Sequence, residues 1–237
     1  KIEQLRAALH EHNYNYYLLD APTISDFEFD QMLKSLVVFE NAYPNFYDPN
    51  SPTQRVGGGV TKNFKTLAHR FPMSSLANTY SREELNKWVE RVEKGLGHKN
   101  FNFTCELKYD GPSINLTYEN GTFVNGITRG DGTQGDDVSL NLKTIHTIPL
   151  KLKGDYPDLF EIRGEIVLPI AGFNVINEER IKLGEEPYMN PRNTASGSLK
   201  LQDSSLVAKR PLECLLYAIA GSNLGVASQF EALQKAK

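Results

Sequence analysis

The sequence predicts an α+β protein in which a small helical hairpin precedes an antiparallel sheet. Two patterns support this prediction: apolar residues recur at helical spacing through the first 40 residues, and after residue 100 they alternate with a period of two. A stretch rich in proline and glycine separates the two patterns and is typical of a linker. We therefore expect two units, residues 1–62 and residues 63–237.

Composition limits the classes of function. The chain has 237 residues, 40% of them hydrophobic and 23% charged, which suffices for one sizeable core. No apolar run could span a membrane and the N-terminus lacks a secretion pattern, so a cytoplasmic protein without a membrane partner is expected. Two cysteines and five scattered histidines form no disulfide framework and no zinc pattern. The net charge of −3 still allows a local basic face for nucleic acid.

The hairpin begins with apolar residues near one helical face from Lys1 to about Leu19. A proline turn with Thr and Ser caps follows, and a second helix is predicted from Asp26 to about Glu40. Asp26 and Asp30 stand four residues apart and are neighbours on one face. They fit solvated acids of a first helical turn, and with Tyr14, Tyr16 and Tyr17 beside them they equally fit a polar ligand site.

Later elements follow from local signals. Residues 43–60 are irregular, and the glycines at 57–59 lack the Lys-Ser/Thr of a P-loop. Ser81 begins a capping box for a helix to about Leu96, in which Trp88 is expected in the core. Strands are predicted over 101–108, 114–118, 122–128, 160–168 and 212–220, with the turn Asn120-Gly121 between the second and third. Helices are predicted over 172–183, at the end of 189–200, and over 229–237.

Two strands carry charged stripes. In an extended chain Glu106, Lys108 and Asp110 share one face, and Glu161, Arg163 and Glu165 do the same further on. A solvated surface strand explains such a stripe, and so does a chemical site, because charged residues are seldom buried unless they are paired or functional. The polar glycine-rich loop 129–137 could bring backbone N–H groups and Arg129 close to a phosphate or ribose.

The run from Cys105 to Gly111 resembles the KxDG signature of covalent nucleotidyltransferases, which comprise DNA ligases, RNA ligases and mRNA capping enzymes. Further runs that carry the resemblance stand in the expected order at Ser51–Gly57, Thr128–Thr133, Ile162–Glu165 and Asn190–Asn193. Together they make the chain similar to bacterial NAD-dependent DNA ligases from end to end. The hairpin resembles the region of that family that grips the nicotinamide mononucleotide (NMN) half of NAD.

The resemblance implies an ATP-grasp-like nucleotidyltransferase core and a three-step reaction. Lys108 attacks the adenylyl phosphorus of NAD and releases NMN, AMP passes to the 5′-phosphate of a nick in double-stranded DNA, and the 3′-hydroxyl displaces AMP. The attacking amine must be neutral, although an ordinary lysine titrates about 3.4 units above pH 7, a cost of about 4.6 kcal/mol. Nearby carboxylates favour the protonated amine. In this family Mg²⁺, or Mn²⁺ in its place, counteracts that effect.

The resemblance also implies residue roles. Asp110 orients the ribose or the nucleophile, and Glu165 binds the ribose or serves the metal. The remaining implied nucleotide-site residues are Glu106 at the adenine edge, Ser75 and Leu76 lining the adenine pocket, and Arg129, Arg192 and Lys200 on the phosphate side. Those implied for NMN are Tyr16, Tyr17, Asp26, Phe29 and Asp30.

The sequence departs from the family's usual residues at three positions. Phe29 replaces a usual tyrosine, Lys200 a usual arginine, and Tyr109 a usual aliphatic residue. The core is expected to be C-terminally incomplete, without the later motifs and the zinc module, so that the isolated chain binds NAD weakly and is catalytically impaired. A monomer is expected. A non-catalytic nucleotide-binding remnant and an ATP-dependent RNA ligase or capping-type enzyme are the alternatives.

Overall fold

The computed structural model describes residues 1–17, 19, 21–56, 63–221 and 224–236, with the side chains of Tyr17 and Asp26 outside the description. The helical hairpin is confirmed as α1 (Ile2–Tyr17) and α2 (Asp26–Ala42), followed by 3₁₀ turns at Pro44–Phe46 and Pro52–Val56. The glycines at 57–59 and the expected boundary near residue 62 lie outside the described residues. That boundary stays a prediction.

The hairpin packs through a small apolar seam and a buried ion pair. Leu9 and Leu36 are fully buried between the helices. The Arg6 guanidinium lies 2.7 Å from a carboxylate oxygen of Glu40. Ser51 and Thr53 each donate a hydroxyl hydrogen bond of 2.6 Å to the same carboxylate. The buried charges are therefore paired, as burial requires.

The core is an antiparallel sheet with strand order β3–β2–β5–β6. Its strands are β2 (Ser113–Glu119), β3 (Thr122–Thr128), β5 (Leu159–Val167) and β6 (Glu213–Ala220), and the short β1 (Thr66–Ala68) pairs separately with β4 (Gln134–Asp136). Asn120 and Gly121 both have positive φ, 48° and 70°, as the tight turn between β2 and β3 requires. These observations confirm the α+β prediction.

Helices surround this sheet and complete the core. They are α3 (Arg82–Leu96), α4 (Ser139–Leu142), α5 (Ile170–Lys182), α6 (Pro191–Leu199), α7 (Ser204–Ala208) and α8 (Gln229–Lys235). One face of β2 and β5 presents Ile114, Leu116, Ile162 and Ile166 to a continuous buried cluster. The opposite face of the same strands carries the polar residues described below.

Two sequence predictions were wrong, and a third, the capping box at Ser81, held only in part. Residues 101–108 belong to no strand ladder among the described residues, because a strand needs a hydrogen-bonding neighbour as well as alternation. Trp88 is 38% exposed and packs against Phe103, with ring centroids 5.0 Å apart. The α3 cap is present, since the Ser81 hydroxyl accepts from Glu84 N, but the Glu84 carboxylate accepts from Tyr80 N instead of Ser81 N.

The hairpin docks on the core through one buried arginine. Arg55 donates to the backbone oxygens of Ile145 and Ile148 at 3.1 and 2.8 Å. In the other direction, Lys143 Nζ donates to the Pro49 oxygen at 2.6 Å. These contacts place the helical unit beside the segment that follows α4.

Candidate active site

The polar face of the sheet places charged residues in register. Ser113 lies opposite Glu165, Asn115 opposite Arg163, and Thr117 opposite Glu161. Directly opposite residues of an antiparallel pair point to the same face. The predicted alternation of Glu161, Arg163 and Glu165 on a strand is thus confirmed, and it occurs on a strand paired on both sides.

Glu165 is a buried acid with a defined partner. Its side chain is only 7% exposed, and the Ser113 hydroxyl donates to Glu165 Oε2 at 2.7 Å. Burial raises the pKa of the Glu165 carboxyl above its ordinary value. The hydrogen bond from Ser113, the charge of Lys108, the Gly111 N–H and the charge of Arg192 act in the opposite direction on that pKa.

Gly111 brings the Lys108 run against β5. A Cβ atom at this position would lie 1.9 Å from the Ile166 carbonyl oxygen, so only glycine fits. One residue later, the Pro112 oxygen accepts a 3.0 Å hydrogen bond from Ile166 N. Lys108 itself is exposed, and it is held beside the sheet through this close approach.

An open cavity of about 440 Å³ gathers most of the predicted nucleotide-site residues. Its functional lining includes Lys108, Ser113, Arg129, Glu165, Arg192 and Lys200. Over the whole lining these four cations face three carboxylates, those of Asp131, Asp136 and Glu165, so the cations are in small excess. The cavity therefore suits an anionic ligand such as a phosphate ester.

Arg192 reaches the cavity from the first turn of α6. Asn190 caps this helix by accepting from Asn193 N at 3.1 Å, and Pro191 occupies the first helical position. Arg192 Nε then lies 3.0 Å from Asp110 Oδ1. Both partners of this pair are largely exposed, so the pair positions side chains more than it stabilises the fold.

The other two cations have partners at the cavity rim. Lys200 Nζ lies 2.8 Å from Asp136 Oδ2, and Arg129 Nη1 donates to Ser75 Oγ at 3.2 Å. Arg129 is exposed and this partner is a neutral hydroxyl, so its charge is available to an anionic ligand. The charge of Lys200 is already paired with Asp136.

None of the three predicted adenine residues, Glu106, Ser75 and Leu76, is among the residues that line this cavity. Glu106 Oε1 accepts a 3.0 Å hydrogen bond from Gln229 Nε2, which also donates to the Tyr217 oxygen at 2.7 Å. Leu76 is 79% exposed. The structure therefore joins Ser75 to Arg129 but places Glu106 beside α8 and leaves Leu76 without a covering contact among the described residues.

A second cavity, of about 230 Å³, lies in the hairpin. Tyr16, Phe29 and Asp30 line it together with His12 and the loop 22–25. Ser25 fixes the start of α2 through a capping box with Glu28. The side chains of Tyr17 and Asp26 lie outside the described residues, so the structure places three of the five predicted NMN residues in one cavity.

Sequence reasoning missed several residues at these sites: His12, Ser113, Asp136, Tyr217 and Gln229. Tyr217 is the extra residue of a bulge, because Gly164 pairs with Leu216 and Arg163 with Ala218. Burial raises the pKa of Tyr217, and the nearby charge of Glu165 adds to this rise. Ser113 had a signal in the strand pattern, whereas the other four depend on contacts between distant parts of the chain.

The described residues include no group of three or more His, Cys, Asp or Glu side chains that could hold a metal ion. Within the 440 Å³ cavity, Glu165 carries the buried carboxylate among the described lining residues. As for membranes, no helix over the described ranges is long and apolar enough to cross one.

Comparisons with known proteins show to which family the chain belongs. The NAD-dependent DNA ligase adenylation domain model matches residues 61–237, and the DNA ligase-like, N-terminal NAD+-binding domain model matches residues 1–57. Relatives named DNA ligase from Flavobacterium johnsoniae and Christiangramia forsetii are each 62% identical over the whole chain, and one from Bacteroides fragilis is 53% identical. The chain spans only 35–36% of the length of these relatives. Since the adenylation model covers most of the chain, the chain belongs to the NAD-dependent DNA ligase adenylation family.

Proposed function

We propose that this chain carries the adenylation chemistry of an NAD-dependent DNA ligase acting in replication and repair. Lys108 takes AMP from NAD, the AMP passes to the 5′-phosphate of nicked double-stranded DNA, and the nick is sealed. The observation that carries this proposal is the convergence of Lys108, Glu165 and Arg192 on one open cavity. We further propose a monomer acting in the cytoplasm.

The first step forms one bond and breaks another. The neutral Lys108 Nζ attacks the adenylyl phosphorus, a P–N bond forms, and the P–O bond to NMN breaks as NMN leaves with the electron pair. The nitrogen then releases one proton to water, which leaves a neutral phosphoramidate nitrogen. Arg129, Arg192 and Lys200 stabilise charge on the transferring phosphate, which is usually the largest catalytic contribution. Asp110, held by Arg192 at 3.0 Å, orients the ribose or the nucleophile.

Glu165 serves as the buried acceptor of the site. Its hydrogen bond from Ser113 fixes the carboxylate, so it can bind the ribose hydroxyl groups or a divalent cation. Mg²⁺ is commonly bound through one or two carboxylates plus substrate phosphates, and a single fixed carboxylate beside a phosphate site fits that pattern. Glu165 would hold Mg²⁺ or Mn²⁺ there, and the ion would neutralise phosphate charge.

The hairpin cavity binds the NMN half of NAD in this proposal. Tyr16 and Phe29 supply aromatic surface there and Asp30 supplies an acceptor. Tyr17 and Asp26, whose side chains lie outside the described residues, are proposed as further NMN-binding residues. Glu106, Ser75 and Leu76 hold the adenine half. The match of residues 1–57 to an N-terminal NAD+-binding domain supports NAD over ATP as the AMP donor.

The test uses a chimera in which this chain replaces the matching region of the Flavobacterium johnsoniae relative, to which it is 62% identical. We expect NAD-dependent nick sealing and, by intact mass after NAD and Mg²⁺, an adenylyl adduct. Labelled ATP in place of NAD should give no adduct. A chimera that folds and binds NAD yet never forms the adduct would favour a non-catalytic remnant.

A second arm separates the two halves of NAD recognition. Asp30→Ala in the chimera should weaken sealing with NAD and spare sealing of a nick that already carries AMP, because NMN contacts matter only in the first step. Asp26→Ala should behave in the same way. Equal loss in both assays would contradict an NMN-specific hairpin.

A further inference from the structure

Arg163 and Glu161 are charged residues of β5 to which the proposed reaction assigns no role. Arg163 is half-buried on the same strand face as Glu165, two residues away along the chain. Opposite it in the sheet lie Asn115 on β2 and Ala218 on β6, neither of which carries a charge. A half-buried guanidinium in such a place calls for acceptors.

The acceptors of Arg163 are backbone carbonyls of the segment that lies on this face. Arg163 Nη2 donates to the oxygen of Phe71 at 3.2 Å and to that of Pro72 at 2.8 Å. Glu161 contacts the same segment by accepting from Arg70 N at 3.3 Å. The charged stripe of β5 therefore binds three successive residues of one passing chain.

The other side of the segment is bound by the loop after β3. His69 N donates to the Thr133 oxygen and Met73 N to the Gly132 oxygen, each at 2.8 Å. Gly132 is in close contact, since a Cβ there would lie 2.6 Å from the Met73 oxygen. Residues 69–73 are thus held between the sheet face and this loop.

Beyond Met73 the chain has little support. Residues 74–80 are exposed and have no helix or strand, and Ser75 is tied to the site by the bond from Arg129. Ser75 and Leu76 begin two residues after the last anchored position. Their location therefore depends on where residues 69–73 are fixed, and Arg163 supplies the two central bonds.

We propose that Arg163 is a positioning residue for the nucleotide site: by binding the carbonyls of Phe71 and Pro72 it sets the place of Ser75 and Leu76 against the adenine half of the nucleotide. This inference rests on the proposed function, which assigns the adenine half to those two residues. Arg163 acts through the backbone of another segment and does not touch the nucleotide. A lysine ammonium keeps the charge but has a shorter reach and lacks the planar, pre-oriented donors of the guanidinium, so it reproduces the two bonds only in part.

The test measures AMP and NMN binding separately on the 237-residue chain. Arg163→Met keeps much of the side-chain volume and removes both bonds, and we expect AMP affinity to fall about tenfold while NMN affinity stays within twofold. Arg163→Lys should recover part of the AMP affinity. Hydrogen exchange of residues 69–76 should rise in Arg163→Met and less in Arg163→Lys.

Arg55→Met is the matched control, because Arg55 also donates to backbone carbonyls but at the hairpin interface. It should lower the melting temperature and leave both AMP affinity and exchange at 69–76 unchanged. If Arg163→Met does not fold, Arg163→Lys carries the comparison. Unchanged AMP affinity in a folded Arg163 variant, or equal loss of AMP and NMN, overturns the inference. Failure of both the unmodified chain and the chimera to bind AMP overturns the proposed function itself, and the inference with it.

Discussion

Two charged stripes look alike in the sequence and differ in the structure. Glu161, Arg163 and Glu165 lie on β5, which has neighbours on both sides, while Glu106, Lys108 and Asp110 lie in a run with no ladder among the described residues. The difference shows in burial, since Glu165 is 7% exposed and Leu107, between Glu106 and Lys108, is 77% exposed. Alternation predicts which side chains share a face, but a strand also needs a partner for its backbone.

The two stripes meet at Gly111. The close approach of Gly111 to Ile166 brings the exposed run beside the buried strand, so that Lys108 and Glu165 line one cavity. One stripe thus supplies a fixed acid and the other an accessible amine. Each of the following predictions changes a residue of one stripe, or Gly111 at the junction between them.

The largest effect is expected from Lys108→Ala. In the chimera it should abolish the adenylyl adduct, because the nucleophile is gone, and leave NAD binding measurable. Its free energy of unfolding should change by less than about 0.5 kcal/mol, since the side chain is exposed. Intact mass and urea unfolding measure the two quantities, and an adduct that persists would place the nucleophile elsewhere.

Gly111→Ala should break the junction. The added Cβ would meet backbone at 1.9 Å, which cannot yield as a flexible side chain can, so we expect a loss of about 3 kcal/mol in the free energy of unfolding. Gly95→Ala is the control, because that glycine is in α3 with nothing within 4 Å of an added Cβ. It should gain about 0.5–1 kcal/mol. A Gly111→Ala protein as stable as the parent would mean that the run is not pinned there.

Titration of Glu165 on the buried stripe should make the free energy of unfolding depend on pH. Because the pKa of Glu165 is raised in the folded state, the folded protein holds a proton that the unfolded chain releases above pH 4.5. Stability should therefore fall as pH rises from 4.5 towards the raised pKa, relative to Glu165→Gln, which lacks this titration. Urea unfolding of both proteins from pH 4.5 to 8 measures the difference, and a difference independent of pH would contradict the raised pKa.

The difference between the two proteins isolates Glu165 from other titrations. Burial beside Arg55 lowers the pKa of His10 and of His146 to about 4, so both should destabilise the fold as pH falls from 6.5 towards 4. This effect has the opposite slope to that of Glu165. It is present in both proteins, and it cancels when their unfolding free energies are subtracted.

Local signals in the sequence predicted much of the fold. The Asn120-Gly121 turn, the cap at Ser81 and the alternation of β2 each depend on neighbours in the chain, and each is present. Contacts across long separations were not predictable, such as the bond from Ser113 to Glu165, 52 residues apart. The bulge at Tyr217 belongs to the same class, because it arises only when β6 meets β5.

The same reasoning explains the mixed result at the site. The motif resemblance located Lys108, Arg129, Glu165, Arg192 and Lys200, and the structure gathers them in one cavity. It could not show that Asp110 pairs with Arg192, or that Glu106 accepts from Gln229, since both partners come from helices later in the chain. Periodicity likewise predicted α3, but the expected burial of Trp88 depended on contacts outside the helix, and Trp88 is 38% exposed.

The smallest effect on the free energy of unfolding is expected from Asp110→Asn, which removes a charge from the exposed stripe. Its partner Arg192 lies 3.0 Å away, yet the two side chains are 80% and 57% exposed, so water competes for both charges. Exposed ion pairs contribute about 0.2–1 kcal/mol, and salt screens them. We expect a loss of less than about 0.5 kcal/mol at low ionic strength and none at 1 M salt, measured by urea unfolding.

Ser113→Ala, which deprives the buried Glu165 of its donor, should cost about 1–3 kcal/mol at either salt concentration because that carboxylate is shielded from solvent. A loss for Asp110→Asn equal to that for Ser113→Ala would mean that the Lys108 run is as firmly structured as β5, and the contrast between the stripes would not hold.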